Sequence, residues 1–239
     1  MTAFSELQQH LIRYWELPYH EDETLNRALN EVQTLQRLRI QRTHEELFSQ
    51  PNNQLMANYF LTQLYGGEKF KLLAVQLARV LPKAQKLERL VKESVLETAT
   101  MSIQAAIVAI EMDLYLAQWL VDNQLPINEK NVMLAYSVTD KSAARREQLS
   151  QLKEVCYRTD KYFNSFLLQK AFALAKSTAY NLNYQPLYDF VEAGFAAMKP
   201  LESVSSSIDP FCARELAIIE QIHRREHDKG DKNKGFDVS

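Results

Sequence analysis

From residue 83 to residue 122 the chain contains no glycine, and from Val91 onward its polar residues gather into one narrow stripe: Glu93, Glu97, Thr100, Gln104, Glu111, Gln118 and Asp122. These positions lie three, four or seven apart, which puts them on one face of a helix. Nearly every other side chain in the stretch is apolar. A helix with so little polar surface must be covered on most sides, and other helices in a multi-helix bundle provide that cover better than an extended solenoid. The same stretch is the best membrane candidate in the chain. Gln104, Glu111, Asp113 and Gln118 would each cost free energy in hydrocarbon, however, so it reads as a buried helix and no transmembrane segment is expected. The stripe is expected to be the single exposed edge of that helix. The alternative is an internal network around Glu97, Gln104 and Glu111, and burial of Glu97 would decide for it.

The rest of the chain agrees with an all-α fold. Only five of its 239 residues are glycine, and apolar residues recur at helical spacing almost throughout. Helices are expected at 3–16, 23–49, 54–65, 69–81, 83–122, 128–137, 141–158, 161–181, 186–198 and 210–227, about nine or ten in one domain over residues 1–227. Pro51, Gly66-Gly67 and Pro82 supply breaks. Asp209 is a plausible N-cap, with Pro210 at the first helical position behind it. Residues 199–207 read as a loop, and residues 228–239, DKGDKNKGFDVS, have too few apolar groups to order themselves and read as a disordered tail. No repeat of fixed period is found, and neither a G-x-G-x-x-G nor a P-loop string exists to cradle phosphate.

Composition narrows the function classes. Hydrophobic residues make up 46% of the chain, enough for a sizeable interior, and the formal charge of -2 lacks the basic excess with which nucleic-acid binders neutralise phosphates. Lys83, Lys86, Arg89 and Lys92 with Arg79 form a local basic strip, but Glu88 and Glu93 dilute it and no aromatic platform lies between the lysines, so nucleic acid is not the expected partner. Arg37, Arg39 and Arg42 scatter around their helix and make a weaker strip still. The N-terminus lacks a basic lead followed by an apolar run, and Cys156 and Cys212 read as small core residues, which together fit the cytoplasm.

Metal and catalytic motifs are incomplete. His223-Arg224-Arg225-Glu226-His227 matches the H-x-x-E-H string of inverted zinc peptidases, but no downstream Glu completes it. Glu220-x-x-His223 is half of a di-iron bundle's requirement, and His10, His20, His44 and His227 all lack a Glu three positions earlier. Neither cysteine has an activating sequence context, and the serines at 203 and 205–207 have no nucleophile elbow. No catalytic residue, metal ligand or cofactor is therefore assigned.

At Tyr59-Phe60-Leu61-Thr62-Gln63-Leu64-Tyr65-Gly66 the chain resembles a family of bacterial proteins named for its FFLEELY sequence motif. Arg42-Thr43-His44-Glu45-Glu46-Leu47 is similar to that family's R-T-H-x-x-L segment, and Val80-Leu81-Pro82 and Leu96-Glu97-Thr98 to its V-L-P and L-E-T. Further on, Phe190-Val191-Glu192-Ala193-Gly194-Phe195 is similar to F-L-E-x-G-F, and Arg214-Glu215 to an R-E pair, so the resemblance spans roughly residues 30–225. It implies a proteobacterial origin and supplies no mechanism. Tyr59 replaces the first Phe and Thr62-Gln63 the acidic pair, while Phe60, Leu61, Leu64 and Tyr65 are kept. The motif is therefore expected to be a packing signature, with Phe60, Leu61 and Leu64 on the core side of a helix that Gly66-Gly67 ends. Arg42, His44, Glu97, Glu111, Glu192 and Arg214 are the polar candidates that remain.

These readings favour a non-enzymatic helical binding or scaffold protein with a protein partner or a second copy of itself. The alternative is a bundle that binds a small molecule or lipid, as a carrier or an enzyme of unknown reaction, in a cavity lined by aromatics such as Tyr157, Tyr162, Phe163 and Phe166. A cavity with converging polar groups would favour the alternative, and a broad exposed apolar patch the scaffold.

Overall fold

The long apolar stretch forms the axis of the molecule. The computed structural model describes residues 2–81, 93–139 and 141–234, with side chains as far as His223. Eleven α-helices and no strand occur among the described residues, giving the expected all-α multi-helix fold with slightly more elements than foreseen. The helices are α1 (Ala3–Trp15), α2 (Glu23–Thr43), α3 (Glu45–Phe48), α4 (Gln54–Tyr59), α5 (Gly67–Val80), α6 (Glu93–Asp122), α7 (Glu129–Val138), α8 (Ser142–Phe163), α9 (Phe166–Asn181), α10 (Gln185–Met198) and α11 (Val204–Lys234). A short 3-10 turn spans Pro18–His20, and a π-helical turn spans Phe60–Leu64.

Capping and apolar spacing explain the first elements. Thr2 accepts from the Ser5 amide at 3.3 Å to start α1, whose Leu7, Leu11 and Tyr14 fall on one buried face. Asp22 accepts from the Leu25 amide at 3.0 Å to start α2. The buried face of α2 begins apolar, with Leu25, Ala28, Leu29 and Val32, and then turns polar at Gln33 and Gln36 before returning to Ile40. α6 packs against α1, α2 and α8, α11 runs along α8, and α10 lies on α4 and α5. By length and composition α6 could cross a bilayer, with a mean hydropathy of 1.3 in its most apolar window, but half of that window is buried within the fold. One apolar cluster joins α1, α2, α5, α6 and α7, and a second gathers Ile40, Met198, Val204, Ile208 and Phe211.

Several boundaries differ from the sequence reading, each for a visible reason. The helix expected over 23–49 breaks at His44, which leaves helical geometry and turns its ring inward to Glu215. The break expected near residue 160 falls at Asn164-Ser165, where the Ser165 hydroxyl caps the Leu168 amide at 3.4 Å. α11 starts at Val204 instead of Pro210, because Ser203 accepts from the Ser206 amide at 3.0 Å and caps the helix six residues early, leaving Pro210 inside it. Asp209, expected as that cap, accepts instead from the Tyr157 hydroxyl and pairs with Lys153 at 2.9 Å. At its other end α11 passes the expected stop at His227 and the start of the expected tail, and continues to Lys234. Residues 235–239 lie outside the described residues. So do residues 82–92, and with them Lys83, Lys86, Arg89 and Lys92 of the basic strip.

The polar stripe of α6 is an exposed edge only at its ends. Glu93, Glu97 and Asp122 face solvent, while Thr100 and Glu111 lie buried beneath α1. There the Thr100 hydroxyl donates to the Ala3 carbonyl at 3.1 Å, and Glu111 pairs with Arg13. Glu97 is exposed beside Arg158 at 3.6 Å, so no internal network forms around it.

Candidate functional site

The polar turn in the buried face of α2 leads to the site. Gln36 and Arg39 are three residues apart and both point into the bundle. The Arg39 guanidinium donates through Nη1 and Nη2 to the two carboxylate oxygens of Glu215 on α11, at 2.9 and 2.8 Å. Its Nε donates to the Gln36 carbonyl oxygen at 3.0 Å. The Gln36 amide nitrogen lies 3.5 Å from Oδ1 of Asp113 on α6, and the Tyr65 hydroxyl donates to Asp113 Oδ2 at 2.7 Å. His44 Nε2 is 2.9 Å from Glu215 Oε1, and its ring stacks on Phe211 at 4.4 Å. The hydrogen bond to a carboxylate requires that nitrogen to carry the proton. Four elements distant in sequence are thereby tied through one polar cluster.

Arg145 of α8 completes the cluster and is bonded differently. It is 6% exposed. Its Nη2 donates to the Met112 carbonyl at 3.3 Å, and its guanidinium lies 3.9 Å from the centroid of the Tyr136 ring. Its Nε has no hydrogen-bond partner, and among the described residues it forms no ion pair.

The two buried carboxyls respond to these surroundings in opposite directions. Burial pushes Glu215 up, but the hydrogen bonds from His44 and Arg39 and the Arg39 charge outweigh it and hold its carboxyl at about 2. Asp113, 1% exposed, is shifted up: burial outweighs the Arg145 charge and the hydrogen bonds from Tyr65 and Gln36. Burial, with Asp113 alongside, pushes the Tyr65 hydroxyl well above its usual range, so the hydroxyl keeps its proton and remains a donor. Burial also pushes the thiols of Cys156 and Cys212 up to about 12 and about 11, too high for a thiolate nucleophile near neutrality.

This cluster forms one wall of a cavity of about 480 Å³, within the range of small-molecule pockets. Gln36, Arg39, Tyr65, Asp113, Arg145 and Glu215 line that wall. Most other lining is apolar, contributed by both core clusters and including Phe60, Leu64, Phe70, Phe190 and Phe211. The π-helical turn shapes this wall. The Tyr65 amide reaches back to the Phe60 carbonyl at 3.0 Å, widening the turn by one residue, and Phe60, Leu64 and Tyr65 all border the cavity. Gly66 follows with φ +61, and a Cβ there would stand 2.4 Å from Gln33 Nε2.

The sequence candidates divide between this wall and the surface. Phe60, Leu64 and Tyr65 line the cavity, and Leu61 packs against the second apolar cluster. Leu64 is only partly buried, so it is a cavity wall and not the core anchor expected of it. Tyr59 donates to the Phe190 carbonyl at 3.2 Å and approaches Gly194, where a Cβ would meet its hydroxyl at 3.0 Å; the motif and the segment at 190–195 are packing partners. His44 joins the polar cluster. Arg42 pairs with Glu129 at 2.7 Å and Glu192 with Lys176 at 2.9 Å, both on the surface. Arg214 is exposed, while its neighbour Glu215 is the member of that pair that enters the site. His223 has a buried Nε2 without a hydrogen-bond partner beside Tyr136, and the side chains of Glu226 and His227 lie outside those described. Of the aromatics expected to line a cavity only Tyr162 does so; Phe166 is 65% exposed.

Sequence reasoning missed Gln36, Arg39, Asp113 and Arg145. The signal for Gln36 was present, since it falls on the periodic apolar face of α2, where a polar residue must find a buried partner. No curated protein and no solved structure matches the chain. A family model does, over residues 16–229, a range that includes every member of the cluster and nearly all of the cavity lining. The chain belongs to the family described as a domain of unknown function, DUF8198.

Proposed function

We propose that the protein binds a small, largely apolar molecule inside its helical bundle and holds it without chemical change. The observation that carries this reading is the cavity of about 480 Å³, mostly apolar in its lining, with one group of converging, hydrogen-bonded polar side chains. Apolar lining supplies affinity through burial, and a few fixed polar groups supply orientation. The likeness to bacterial proteins with the FFLEELY motif fits: Phe60, Leu64 and Tyr65 border the cavity, so the motif would be retained for the shape of a binding site in a cytoplasmic protein. A second reading, a scaffold for a protein partner, is favoured by one feature. α9 buries none of its residues and turns Phe166, Leu167 and Leu174 to solvent.

Titration with a neutral naphthylamine fluorophore tests the first reading. Saturable binding of one equivalent is expected, and it should be lost in Ala109→Trp, which fills the lumen, while the helical circular dichroism is kept. Unchanged binding in that variant would place the fluorophore elsewhere.

A further inference from the structure

Resting on the cavity reading, we infer that the ligand carries a carboxylate and that Arg145 receives it. Arg39 and Glu215 neutralise each other through a two-pronged contact, with every guanidinium nitrogen of Arg39 engaged. Arg145 is more deeply enclosed but has only a main-chain carbonyl and the face of Tyr136, with Nε left over. Arginine cannot escape burial by losing its proton, so a buried guanidinium without an anion is costly. Asp113 lies close enough to feel the Arg145 charge, but no hydrogen bond or ion pair joins the two; its oxygens accept from Tyr65 and Gln36, and burial disfavours its ionised form. A carboxylate entering the cavity would supply the missing partner.

Geometry and charge both favour a carboxylate over a phosphate monoester. The guanidinium sits over the Tyr136 ring at 3.9 Å from its centroid, and its planar fork matches a two-oxygen acceptor. One negative charge balances Arg145, whereas a dianion would leave one charge without a partner inside the fold. The apolar walls formed by Phe60, Leu64, Leu149 and Leu152 then require the rest of the ligand to be hydrocarbon.

The test is displacement of the neutral fluorophore from the full chain by decanoate, decanol and decyl phosphate. Decanoate should displace it at a concentration about ten-fold lower than decanol, the gain of a charge-assisted contact, and should also outcompete decyl phosphate. Arg145→Gln should bring decanoate level with decanol, read as the ratio of the two within the same variant so that any change in neutral binding cancels. Decanol matching decanoate in the natural chain, or a preference that survives Arg145→Gln, overturns the assignment, and a lead for decyl phosphate moves it to phosphate. If the glutamine variant does not fold, the three-ligand comparison in the natural chain stands alone, with Arg145→Lys testing loss of the fork at constant charge. Failure of the fluorophore and all three ligands to bind would instead remove the cavity reading beneath it.

Discussion

At the scale of single residues, Glu215 is a buried carboxylate whose charge is committed to two partners, Arg39 and His44. Its carboxyl is held at about 2 against an ordinary 4.5, so the stability it contributes is full above the ordinary value and is lost as pH falls from there towards the folded one. The shift corresponds to something on the order of 3 kcal/mol, and Asp113 opposes it, since its raised carboxyl gains stability as it is protonated in acid. Urea unfolding followed from pH ~6 to ~2 should show a steep loss in the natural chain. Glu215→Gln should be less stable near neutrality and flatter in acid, because Arg39 is left without its counter-charge; a variant as acid-sensitive as the parent would contradict this. Gly66→Ala should also destabilise, by at least about 1–3 kcal/mol, because φ 61 with ψ -161 is a backbone conformation kept almost wholly for glycine and Gln33 must move as well. Thermal melts would measure it, and a neutral result would refute the backbone account. Little of this was legible in the sequence. Arg37, Arg39 and Arg42 look alike on paper, and only the completed fold brings Arg39 to Glu215 while Arg42 stays on the surface with Glu129.

At the scale of elements, the sequence was readable wherever local chemistry decided the outcome. The interior of α6, the start of α2 at Asp22 and the stop at Gly66 all follow from periodicity, capping and positive φ. It misled where two local signals competed: Asp209-Pro210 looks like a helix start, but Ser203 caps first and Asp209 is drawn to Tyr157 and Lys153. The π-helical turn has no sequence signature of its own, since it answers the need to place Tyr65 against Asp113 on another helix. α9 is the least secured long helix. It is held by stacking of Phe172 on Tyr188 at 4.2 Å and by Lys176 and Tyr180 reaching Glu192 and Asp189, with Leu174 82% exposed. Hydrogen exchange should therefore find its amides among the least protected of the long helices, opening well below the global unfolding free energy. Protection equal to that of α6 would show that something covers it.

At the scale of the whole molecule, the balance of α-helical periodicity and scarce glycine makes the all-α class legible, but the cavity is not. A lumen is a property of distances between helices, set by side chains from both apolar clusters, and no single segment encodes it. Its polar wall is assembled from residues as far apart in sequence as Gln36 and Glu215, which only the completed fold brings together. The central claim, that this interior space and not the exposed face of α9 receives a ligand, is tested most directly by methyl nuclear magnetic resonance during titration with decanoate. The account predicts shifts confined to cavity methyls such as those of Leu64, Leu149 and Ile208, with Leu167 and Leu174 unmoved. Shifts centred on Leu167 and Leu174, with the cavity methyls silent, would contradict it.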